Sequence, residues 1–221
     1  WKTGRWTTLI AVLAALLIPT FAMAAGGENV KLEFSDQDKI YLYLSLGLGF
    51  LAIVMGYVFQ KQVLAKSTGN DAMREVAKAI EAGALAYLAQ QRKLMGIFVI
   101  LLAAGLYFLY QGQFGQNVGT GVAVCFVLGV MASYGAGYLG MVTAVRGNVR
   151  TAAAALNSKK EALETAFRSG AVAGMYTVGL GLIGATAVFL FFPAEAMKLL
   201  VGFGFGGSLA ALFMGVGGGI Y

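Results

Sequence analysis

Residues 198–221 read KLLVGFGFGGSLAALFMGVGGGIY and carry no charge after Lys198. In a soluble helix each glycine costs about 1 kcal/mol relative to alanine. This density of glycine makes sense where backbones must approach closely. Gly202 and Gly206 stand four apart, and Gly207, Ala211, Gly215 and Gly219 form a column at steps of four, on one helix face. The spacing predicts a face that a neighbouring helix grips. A helix from Ala196 to Tyr221 is roughly 39 Å long, against roughly 30 Å of bilayer hydrocarbon. The stretch reads as a membrane span packed inside a bundle. It stops without a loop, a cap or a charged anchor, and the expectation is that the chain is the front part of a longer protein.

Composition extends this reading to the whole chain. Of 221 residues, 59% are hydrophobic and 12% charged, where a soluble domain carries about a quarter charged residues. The fold class is therefore all-α, a polytopic helical membrane protein. With no histidine and one cysteine, zinc sites, imidazole bases, iron–sulfur clusters and an internal disulfide are excluded within the chain. Cys125, in the apolar run AVCFVLG, reads as a small packing residue.

Residues 1–25 have the layout of a secretory signal: Lys2 and Arg5, an apolar run from Leu9 to Ile18, then Pro19 and the small-x-small site Ala22-Met23-Ala24. An uncleaved extra span is the alternative. Residues 26–39 are polar and read as an exposed outer tail. Residues 40–221 then supply five spans. The first runs from Ile40 to about Leu64. The second, Ala72 to Tyr110, is roughly 58 Å as one helix, so its first half must project from the membrane. Asn70 or Asp71 can cap it. Gln111 to Asn117 reads as a short outer loop, and a third helix runs from about Val118 to Leu156. Ser158 with Glu161 forms a capping-box signature for a fourth, from Lys159 to about Phe192. Within it Gly170 and Gly174, four apart, read as a second helix-packing pair. Pro193 and Glu195 turn the chain back into the glycine-rich span.

Charge orients the bundle. Eleven of the sixteen basic residues, from Lys61 to Arg168, fall on one side of the five spans. The positive-inside rule places them in the cytoplasm and the N-terminus outside. That basic surface faces five acidic residues, Asp71, Glu75, Glu81, Glu161 and Glu164. It attracts phosphate-rich solutes or the anionic headgroups of the lipid bilayer. Its sharpest part is Arg146-Gly147-Asn148-Val149-Arg150, where two arginines four apart share a helix face; an anchoring role at the membrane boundary is the simpler reading. The acids form no paired arrangement that would hold a metal. None lies within a span, where an ion-binding or proton-relay site would put one.

Four segments carry a resemblance. IEAGALAYLAQQRK (Ile80 to Lys93), MVTAVRGNVRTAAAA (Met141 to Ala155), AFRSGAVAGMYTVGLGLIG (Ala166 to Gly184) and GFGFGGSLAALFMGVGGGIY (Gly202 to Tyr221) resemble the membrane-bound, ion-pumping inorganic pyrophosphatases. The resemblance implies sixteen spans and a homodimer, and the signal-like start points to a bacterial inner membrane. It implies magnesium-dependent hydrolysis of pyrophosphate in a cytoplasmic funnel, coupled to export of protons or sodium ions, with potassium (K+) as a possible further cofactor. No nucleic-acid partner is implied. The catalytic aspartates of such an enzyme lie beyond Tyr221, so no catalytic or metal residue is expected here. One position departs from the family. Just before VGGGIY the family commonly carries an arginine near the top of the ion path, and Gly215 stands in its place. Gly215 is therefore the ion-path candidate. A non-enzymatic channel, rotor-type or scaffold subunit is the alternative, although a rotor needs a mid-membrane carboxylate that these spans lack.

Overall fold

The computed structural model describes residues 35–220, with side-chain surroundings up to Val216. The expected signal segment and most of the outer tail lie outside the described residues. Among the described residues five helices follow one another: α1 (Asp36–Leu64), α2 (Asp71–Phe114), α3 (Gln116–Ala155), α4 (Lys159–Phe191) and α5 (Ala196–Ile220). All five are long and apolar enough to cross a membrane. Among the described residues there is no strand.

Local chemistry sets the helix ends. The Ser35 side chain accepts from the Gln37 amide, while Asp38 reaches back to accept from the Ser35 amide at 2.9 Å. Two acids in this first turn, Asp36 and Asp38, also suit the positive end of the helix dipole. The last four residues of the expected tail are thus the exposed start of α1. Asn70 rather than Asp71 caps α2, accepting from the Met73 amide at 2.9 Å. At α4 the Ser158 hydroxyl accepts from the Glu161 amide.

The outer loop expected over Gln111 to Asn117 is not a loop. α2 continues to Phe114, α3 begins at Gln116, and Gly115 alone makes the joint. Its φ of +93° lies where side-chain-bearing residues are strained, so glycine lets one residue reverse the chain. The hairpin is correspondingly tight: a Cβ on Gly119 would sit 2.7 Å from the Tyr107 carbonyl oxygen of α2.

α3 is the central helix, packing against α2, α4 and α5, while α1 lies on the far side of α4. Near the end that holds the Gly115 joint Tyr110, Val122, Val188 and Leu199 gather around Cys125, which is buried as the sequence suggests. At mid-depth Phe126 is fully buried with Met95, Val130 and Ala210. Towards the other end Leu88, Met141, Val145 and Met214 form a third cluster. Outward-facing apolar residues such as Ile100, Leu101 and Phe108 stay exposed. That belt is what hydrocarbon solvates. Because lipid is as apolar as these side chains, burial drives helix association weakly, and close backbone packing and hydrogen bonds take over.

Two glycine seams supply that packing. Along α3 and α5, a Cβ on Gly202, Gly206 or Gly129 would collide with the Val122, Phe126 or Phe203 carbonyl oxygen. Along α1 and α4, Gly49 and Gly179 face each other, and a Cβ on either would lie 3.1 Å or less from the other's carbonyl oxygen. Polar pairs cross the same interfaces. Gln60 Nε2 donates to Thr143 Oγ1 at 3.0 Å and Gln60 Oε1 accepts from the Tyr176 hydroxyl at 3.3 Å, joining α1, α3 and α4.

Candidate functional site

At the end of the bundle that holds the α1–α2 and α3–α4 turns, several basic residues are tied into the fold. The Arg146 guanidinium makes two contacts of 2.7 Å with one Glu81 carboxylate oxygen, linking α3 to α2. One turn later Arg150 Nε donates to the Leu64 carbonyl at 3.2 Å and its Nη1 donates to the Arg146 carbonyl at 2.7 Å. Leu64 ends α1, whose last carbonyls have no partner within the helix. Arg150 therefore acts as a cap supplied from another helix, and its charge suits the negative end of the dipole. Lys66 donates to the Thr165 hydroxyl at 2.8 Å and pairs with Glu161 at 3.5 Å. Arg168 pairs with Glu164 at 2.5 Å and donates to Gln62 at 2.7 Å. The two arginines singled out by spacing thus join three helices. Their partners Glu81 and Leu64 come from segments far away in sequence, and no local signal names them.

The glycines of α5 fall on two faces. Gly202 and Gly206 continue through fully buried Ala210 to Met214, and this stripe grips α3. The column Gly207, Ala211, Gly215 lies about 100° round the helix and is not the gripped one. Among the described residues a Cβ on Gly207 would meet only the Gly129 oxygen, at 3.9 Å; Ala211 is exposed, and Gly215 has nothing within 4 Å. The surroundings of Gly219 lie outside the described residues. On α4, Gly170 and Gly174 also face open space among the described residues. Small residues that α4 does use against its neighbours include Gly179, against α1, Gly184, against Phe203 of α5, and Ala173 and Ser169, which face Gly140 and Gly147 of α3.

Gly215 lies at the level of a polar clasp. Gln91 of α2, 7% exposed, donates its amide to the Phe213 carbonyl of α5 and to the Tyr87 hydroxyl. The Gln91 oxygen has no partner among the described residues. The open face at Gly215 has room for a larger side chain. No group of three His, Cys, Asp or Glu that could hold a metal ion gathers among the described residues.

Residues 50–221 match the model of the family described as Inorganic H+ pyrophosphatase. The chain belongs to that family. It is 44% identical over 204 residues to a K(+)-insensitive pyrophosphate-energized proton pump of Chloroflexus aurantiacus, an alignment covering 86% of this chain and 26% of that protein. A protein of the same description from Streptomyces coelicolor is 38% identical over 218 residues, covering 92% and 26%. A protein of Bacteroides thetaiotaomicron, provisionally named a K(+)-stimulated pyrophosphate-energized sodium pump, is 39% identical over 198 residues, covering 83% and 27%. The chain thus spans about a quarter of the length of the curated relatives it matches. All four segments that carry the resemblance in sequence lie within the matched residues.

Proposed function

We propose that this chain is part of a pyrophosphate-energised pump that hydrolyses inorganic pyrophosphate and exports protons or sodium ions across a membrane. The observation that carries the reading is the family match over residues 50–221, with relatives named as such pumps. The architecture agrees with it. At 44 residues α2 is about 66 Å long and at 40 residues α3 is about 60 Å, each roughly twice the hydrocarbon thickness. Their overhanging ends, pinned by the Glu81–Arg146 pair and the Arg150 cap, build a platform beyond the bilayer on which a water-exposed reaction centre can stand. The positive-inside rule assigns that platform to the cytoplasm and the N-terminus to the outside of a bacterial inner membrane.

Magnesium, which the family implies, neutralises pyrophosphate charge and activates water when bound. The described residues do not fit a site for it, and its ligands belong to other parts of the complete protein. The contribution of these helices is positional. Homodimer formation and potassium dependence belong to the same reading by family resemblance. Gly215 is proposed to border the ion path, since its open face stands where the family commonly places an arginine.

The test is to express the complete gene, reconstitute the product in sealed vesicles, and measure magnesium-dependent phosphate release together with acidification or sodium uptake. Coupled hydrolysis and transport, abolished by an ionophore only in its transport arm, is the expected result. The 221-residue chain alone should release no phosphate. Hydrolysis by that chain, or an inert complete protein, would overturn the proposal. Gly215→Arg should assemble normally and change the number of ions moved per pyrophosphate.

A further inference from the structure

Between the end of α1, the turn that follows it and the facing sides of α2 and α3 lies an open recess of about 390 Å³. Four cationic side chains line it, Arg74, Lys78, Arg146 and Arg150, against one carboxylate, Glu81. The formal surplus is three positive charges. The carboxylate is paired with Arg146, which makes both of its contacts on one oxygen. Arg150 spends Nε and Nη1 on carbonyl oxygens and keeps Nη2. Arg74 is anchored by the Gly69 carbonyl and Asp71. The Lys78 ammonium has neither an ion pair nor a hydrogen bond among the described residues.

Like charges held on rigid helices around one hollow repel one another, and the arrangement is relieved by a multivalent anion. Guanidinium donors in a fixed fork, with an ammonium beside them, match the oxygens of a phosphate group. We propose that this recess binds a phosphate-bearing anion, held by Lys78, Arg74 and the free edge of Arg150. The inference does not depend on the pump reading. Two sources of phosphate can reach it. Lys78 stands fifteen residues before Lys93, where the apolar run of α2 begins, or about 22 Å along the helix, which is beyond a headgroup layer. Leu64, on the opposite wall, is only three residues past Lys61 at the end of the apolar run of α1. By these distances Lys78 stands on the overhanging half of α2 and Leu64 close to an apolar run, so a soluble anion and a lipid headgroup are both tested.

The experiment is amine acylation of the complete protein in phosphate-free detergent, read at Lys78 by mass spectrometry. Lys159, exposed at the start of α4, is the control. One arm adds inorganic phosphate at matched ionic strength; the others add dioctanoyl phosphatidic acid or dioctanoyl phosphatidylcholine. Occupancy at ten times Kd slows Lys78 about eleven-fold and leaves Lys159 unchanged. Slowing by inorganic phosphate identifies a soluble ligand. Slowing by phosphatidic acid alone identifies a headgroup. Both support the site, provided the protection is lost in Arg150→Ala, or in Arg74→Ala on the exposed turn if the first variant fails to fold. No protection in any arm, equal protection by phosphatidylcholine, or protection that survives a folded variant would overturn the proposal.

Discussion

Two adjacent glycines of α5 should respond to the same substitution with opposite signs. At Gly206 a Cβ would lie 2.9 Å from the Phe126 carbonyl carbon and 3.0 Å from the Val130 nitrogen, with the Phe126 oxygen closer still. These are backbone atoms of α3, so no rotamer change relieves the collision. Ordinary carbon contacts sit at about 3.5–4.0 Å, and the two helices must therefore part by about 1 Å along their seam. Overpacking of this kind costs about 1–3 kcal/mol. Replacing a helical glycine by alanine returns up to about 1 kcal/mol. From the middle of each range, Gly206→Ala should thus destabilise by a net of about 1–2 kcal/mol. At Gly207 the nearest atom among the described residues, the Gly129 oxygen, is 3.9 Å away, so the propensity gain is unopposed by them and Gly207→Ala should be neutral or stabilising by up to about 1 kcal/mol. Fluorescence-detected size-exclusion melting of the complete protein measures both. The midpoint should fall for Gly206→Ala and hold or rise for Gly207→Ala. A Gly206→Ala protein as stable as its parent would refute the close-approach argument.

Further outcomes follow from the other contacts. Glu81→Ala and Arg146→Ala, combined in a double-mutant cycle, should give a coupling of about 0.5–1 kcal/mol that shrinks in high salt, because both side chains are partly exposed at 30% and 44%; a salt-independent coupling would count against an ion pair. Tyr176→Phe removes the hydroxyl that donates to Gln60 and should cost about 0.5–1.5 kcal/mol in the same melting assay. Cysteines placed at Ser67 and Ser158, in the two turns of the basic end, should resist an impermeant thiol reagent in intact cells, while one at Gln113, exposed near the opposite end, should be labelled. Labelling at Ser67 in sealed cells would reverse the orientation.

What the sequence determined by itself is what local physics controls. Runs of apolar residues longer than a bilayer is thick define five spans whatever surrounds them, and Ser35, Asn70 and Ser158 cap their helices through bonds to residues two or three places on. The excess length of α2 and α3, and the clustering of arginine and lysine at one end, are equally visible along the chain. Even Gly115 is marked by its type, although only its φ shows that one residue replaces the expected loop. The tertiary structure decided everything that depends on a partner remote in sequence. α5 carries two columns of small residues at steps of four, and periodicity cannot rank them. The carbonyl ridge of α3 selects Gly202, Gly206 and Ala210, and leaves Gly207, Ala211 and Gly215 open. Likewise no local pattern pairs Gly49 with Gly179 or turns Arg150 into the cap of α1. Close packing and cross-helix caps are properties of two surfaces meeting, and a single helix specifies only one of them.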